Sequence, residues 1–117
     1  MSSNNNSSQS LPVDLTTQKK VERLSQLQKD IDAKREKVGK MTDLFDQKSI
    51  DFAWCSLHFM EKGKDMNSDE RRARFSEIQH LKHVAFAALS VMVDEKEELM
   101  KMEMSKDNLC RWTFSFV

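Results

Sequence analysis

Apolar residues recur through the first half of the chain at an interval of seven: Leu24, Ile31, Val38, Phe45, Phe52 and Phe59. Leu27, Met41 and Cys55 each follow a member of that series by three. Such spacing gathers the side chains into one a/d stripe, the pattern by which helices lie side by side. Lys34 and Lys48 stand at d positions, so the seam is mixed. Asp14, Thr16 and Thr17 can cap the start of this helical stretch. Gly39 and the polar spot from Asp46 to Ser49 leave two readings open, one helix across residues 17–62 or two.

Beyond Ser49 the pattern widens. Ile50, Trp54 and Leu57 fall opposite Phe52 and Phe59, so this portion is apolar nearly all round. Gly63 suits a left-handed helix end, and the residues from Gly63 to Ser68 read as a turn. Asn67 or Ser68 can cap a second helix, with Asp69 and Glu70 at its positive end. That helix is expected from about Asp69 to Met104, with its seam at Phe75, Ile78, Lys82, Ala85, Leu89, Met92, Lys96 and Leu99. Val84, Phe86, Ala88, Val91 and Val93 lie off the seam. One partner helix cannot cover them all, which calls for a third helix, self-association or a bound protein.

Charges favour folding back. Lys34, Arg35 and Lys37 stand about as far before the turn as Glu95, Glu97 and Glu98 stand after it. The same register brings Lys48 near Lys82 and Lys34 near Lys96, a conflict that a third helix would relieve. The expected fold is all-α: an antiparallel helical hairpin or a three-helix bundle with coiled-coil-like packing over residues 15–106. Residues 1–14 form a polar leader with little to bury and are expected to be disordered. Asp107 and Asn108 punctuate the end, and Trp112, Phe114 and Phe116 then alternate with Thr113, Ser115 and Val117, so residues 107–117 read as an extended aromatic tail.

Composition narrows the function classes. Only two Gly and one Pro argue against a turn-rich β fold. Lys plus Arg equals Asp plus Glu at 19 each, so no net field draws the chain to nucleic acid or an acidic membrane. No apolar run approaches the ~20 residues of a membrane span, and no membrane insertion is expected. Two cysteines make no disulfide framework and suit a reducing compartment, so the expected location is cytoplasmic or nuclear.

Several constellations could carry chemistry. Cys55 with His58, and His80 with His83, are pairs three apart. In an antiparallel pair shifted by about 5 Å along the helix axis they could supply four zinc ligands. Glu77 and His80 form a single Glu-x-x-His, half of what a di-iron carboxylate bundle uses. Arg71, Arg72 and Arg74, with Lys62 and Lys64, make a basic patch that defines a nucleic-acid-binding alternative. Ser115-Phe116-Val117 resembles the C-terminal ligand of a PDZ-type domain, in which the tail adds as a strand and the last residue fills a pocket. No Gly-rich phosphate loop or nucleophile–base pair is evident, so no enzyme and no cofactor is expected. The leading expectation is a non-catalytic adaptor or scaffold subunit that binds other proteins, or a second copy of itself, by helix packing. Its expected contact residues are Trp54, Phe59, Phe75, Ile78, Leu81, Phe86, Leu89 and Val93.

Overall fold

The computed structural model describes residues 15–114. Helix α1 spans Leu15–Lys62, a single 3-10 turn spans Gly63–Asp65, and helix α2 spans Ser68–Phe114. The protein is all-α, with two long helices and no strand among the described residues. A third long helix is also absent among them, so of the two expected architectures they form the hairpin. The expectations for residues 1–14 and for Ser115, Phe116 and Val117 lie outside the described residues.

α1 runs unbroken through the span from Gly39 to Ser49. Local contacts compensate for its weak helix formers. Thr42 turns its hydroxyl onto the Val38 carbonyl at 2.8 Å, which satisfies it within the helix. Gln47 donates to Asp51 at 3.1 Å, repeating a one-turn clasp seen at Gln26–Asp30 (3.0 Å) and Gln28–Asp32 (2.9 Å). Each such pair adds about 0.2–0.5 kcal/mol to a helix.

Gly63 does not take the left-handed conformation expected of a helix terminator. It opens the 3-10 turn and is buried, because the Phe59 ring lies over it: a Cβ there would sit 2.9 Å from two ring carbons. Small size, and not an unusual dihedral, is what this position requires. Met66 then leaves the turn extended, its N–H donating to the Gly63 carbonyl at 3.3 Å. Asn67 caps α2 as expected, its Oδ1 accepting the Glu70 N–H at 2.9 Å. Asp69 and Glu70 in the first turn and Arg111 in the last complement the helix dipole.

The extended tail expected from residue 107 is corrected: α2 continues through Asp107 and Asn108 to Phe114. Neither residue breaks a helix, since each costs only about 0.7 kcal/mol against Ala and no Gly or Pro follows. Leu109 and Trp112 are three apart, a helical spacing, and Leu109 lines a groove together with Leu27 and Arg23 of α1.

The chain forms two compact units. In one, residues 15–34 pair with residues 98–114, and Lys34 meets Glu98 at 2.9 Å. Its fully buried side chain is Ile31. The other unit is Arg35–Glu97, a helical hairpin closed by the turn, in which Lys37 meets Glu95 at 3.2 Å. Three residues forward on α1 are matched by three residues back on α2, as the charge pattern implied. Val38, Ala85 and Met92 are the buried apolar side chains of this hairpin.

The two glycines call for opposite outcomes on substitution. Gly39 has nothing within 4 Å of an added Cβ. Gly39→Ala should therefore raise stability by about 1 kcal/mol in urea unfolding followed by helical circular dichroism. Gly63→Ala should lower it. Equal midpoints for Gly63→Ala and the native chain would show that the Phe59 ring swings aside freely.

Candidate functional site

A helix pair covers one stripe of each partner, and the hairpin Arg35–Glu97 has apolar side chains well beyond that stripe. Trp54 is 71% exposed, Met60 74%, Phe75 55% and Phe86 56%. Ile50, Leu57 and Val93 are about half exposed as well. The hairpin has a groove on each flank, and Phe86 lines one of them. One groove is formed by Phe45, Ser49 and Phe52 of α1 with Lys82, Phe86 and Leu89 of α2. The other is formed by Met41, Leu44 and Lys48 with Val84, Ala88 and Val91.

The first groove carries the larger side chains. Phe75 stands eleven residues before Phe86 and Val93 seven after it, so the three share one face of α2. Met60 stands eleven residues after Ser49 and shares its face of α1. The Lys82 ammonium lies 5.9 Å from the centre of the Phe86 ring, within cation–π range. Large apolar side chains left this exposed are more than a helix pair alone can cover.

The two grooves also resolve the expected lysine conflict. Lys48 lines one flank and Lys82 the other, so rotation about the helix axes separates them without a third helix. Lys34 is engaged by Glu98.

Of the residues expected to make contacts, Trp54, Phe75, Phe86 and Val93 are exposed. Ile78, Leu81 and Leu89 are half-buried against the hairpin's own seam, and Phe59 is half-buried over Gly63. Ile50, Leu57 and Met60 also belong to the exposed set, within the segment from Ile50 to Met60 expected to meet a partner. Their signal was present in the all-round apolar character of residues 50–60.

The remaining constellations are less assembled. Cys55 is half-buried and His58, His80 and His83 are exposed. The register set by Lys37 and Glu95 carries Cys55 to the level of Glu77, about two turns from His83. Among the described residues no group of three or more His, Cys, Asp or Glu side chains is arranged to hold a metal ion. The Glu77 carboxylate is bound by Arg74 at 2.7 Å. Arg71 donates to the Met66 carbonyl at 3.0 Å, so two of the three arginines of the basic patch brace the turn and the first turns of α2. Among the described residues no helix is long and apolar enough to cross a membrane. Compared with known proteins, the chain matches no family model, no curated protein and no solved structure.

The positions of Cys55 and Cys110 lead to a thiol measurement. Both are free and half-buried. Thiol titration of the purified protein should find both cysteines reactive, at a rate unchanged by a chelator, and with less than about a tenth of an equivalent of zinc by elemental analysis. A near-stoichiometric zinc content, with Cys55 protected until chelator is added, would instead establish a closed four-ligand site.

Proposed function

We propose that this protein is a non-catalytic interaction subunit, an adaptor or scaffold that assembles with other protein through helix packing. The contact face is the groove of the hairpin Arg35–Glu97 lined by Phe45, Phe52 and Phe86, with the exposed side chains around it. The observation that carries this reading is the imbalance within that hairpin. It buries Val38, Ala85 and Met92 while leaving Trp54, Met60, Phe75 and Phe86 more than half exposed. Covering such side chains is worth about 1.5–3 kcal/mol each for full burial, so a partner helix laid along the groove gains substantially from contact alone. Amphipathic helices dock into grooves by this means, reading anchors spaced along one face.

The site's chemistry fits binding better than turnover. Its lining is aromatic and aliphatic apart from Ser49 and Lys82, and no His, Asp or Glu lines it to serve as a general base. General acid–base or nucleophilic catalysis needs such neighbours within hydrogen-bond reach. Free thiols at Cys55 and Cys110 are compatible with a reducing compartment, cytoplasmic or nuclear.

Photo-crosslinking in the cells that make the protein tests this reading. A photoreactive amino acid in place of Phe86 should give discrete protein adducts on irradiation. The same group in place of Glu36, which lies on an exposed, charged part of α1, should give none. Equal yields at the two positions would remove the interaction reading.

A further inference from the structure

The groove lined by Phe45, Phe52 and Phe86 has two edges of opposite charge, and this indicates what covers it. On α2, Lys82 stands beside Phe86. On α1, the exposed Asp46 stands three residues before Ser49, one turn along the same side of the helix. Among the described residues Asp46 and Lys82 form no ion pair, unlike Lys34, Lys37 and Arg74. One helix thus offers an unpaired carboxylate beside the groove, and the other offers an unpaired ammonium within about one turn along the axis.

We infer that the partner on this face is a second copy of the chain, packed groove to groove with α1 of each copy over α2 of the other. The inference rests on the interaction reading above and names its partner. Two symmetric ways of stacking such hairpins exist. A two-fold axis across the helices sets α1 on α1 and α2 on α2, opposing Asp46 to Asp46 and Lys82 to Lys82. An axis along the helices sets α1 on α2 and opposes Asp46 of each copy to Lys82 of the other, within about one turn, which is ~5 Å along the axis. Only the second arrangement pairs the opposite charges, and it does so twice because the interface is isologous. The result is a four-helix bundle in which each helix neighbours two antiparallel ones.

Area and net charge agree with this occupant. An aromatic side chain presents about 150–250 Å², so Phe75 and Phe86, each about half exposed, leave on the order of 100 Å² apiece. With Met60 and Val93 alongside, the face offers a few hundred Å² of apolar surface, comparable to the apolar part of the ~800 Å² that each partner contributes to a standard interface. The chain carries 19 basic and 19 acidic residues, so two copies meet without net repulsion.

Light scattering on a sizing column, with the full chain at several concentrations, tests the inference. The native protein should run at twice its 13.7 kDa mass at micromolar concentration. Phe86→Glu should run as a monomer that keeps its helical circular dichroism. Asp46→Lys alone and Lys82→Asp alone should each weaken the dimer about tenfold, since two exposed pairs become two repulsions. An equimolar mixture of those two variants should recover the dimer, because the mixed pair restores opposite charge at both contacts. Should Phe86→Glu lose its helix, the mixture decides alone.

A native chain that stays monomeric at every concentration overturns the inference. If Phe86 crosslinks still form in cells, the interaction reading then stands with a different partner; if they do not, both fall. A dimer indifferent to Phe86→Glu in its folded form overturns the assigned face. A mixture that stays as weak as its components overturns the α1-over-α2 arrangement.

Discussion

Two helices packed side by side can each cover about a third of the other's circumference, and every main property of this protein descends from that limit. The seam spends its coverage on Ile31 in one unit and on Val38, Ala85 and Met92 in the other. Apolar residues one or two positions off the seam are left at the flanks. In a three-helix bundle those flanks would be interior. In a helix pair they are surface, and the sequence has placed Phe75, Phe86 and Trp54 there. The same limit explains why the charged residues sit where they do. Lys37 and Glu95, just beyond the seam, fix the pairing level without entering the core.

Much of the fold was legible because helix pairing leaves a periodic trace. The seven-residue series from Leu24 to Phe59 and the three-four series from Phe75 to Leu99 identify both helices and their facing sides. The opposed clusters around Lys34–Lys37 and Glu95–Glu98 disclose the antiparallel register, and Asn67 marks the second helix start. What could not be read depended on three-dimensional detail. Gly63 is dictated by a ring packed above it, which no local pattern encodes. Trp112, Phe114 and Phe116 alternate like a strand, yet Leu109 and Trp112 also satisfy a helix, and contact near Leu27 favours the helix. Lys48 and Lys82 look opposed when the chain is drawn as a flat ladder and diverge once the helices have rotation.

The candidate surface was legible as a region and not as a list. Sequence periodicity shows that residues 50–60 and 81–93 are apolar nearly all round, so the partner helix cannot cover every side of them. Sorting core from surface takes the angular position of each side chain about its axis. Ile78, Leu81 and Leu89 turn inward and Phe86 and Val93 outward, although all five have similar character. The Cys55, His58, His80 and His83 set shows the converse. Residue types suited to a ligand sphere are common on helices, and only an agreeing register would make them one.

The turn gives the chain an order of assembly. Gly63, Phe59, Met66 and Asn67 make their contacts within a few residues of one another, whereas Lys34 and Glu98 are separated by 64 positions. Closing a long segment costs more chain entropy than closing a short one, unless the intervening residues are already ordered. Zippering outward from Gly63 therefore shortens the effective loop at each step. On a ribosome, this would hold back completion of the helix pair until the second helix has emerged. Until then, the apolar stripe of the first helix is exposed to whatever it meets.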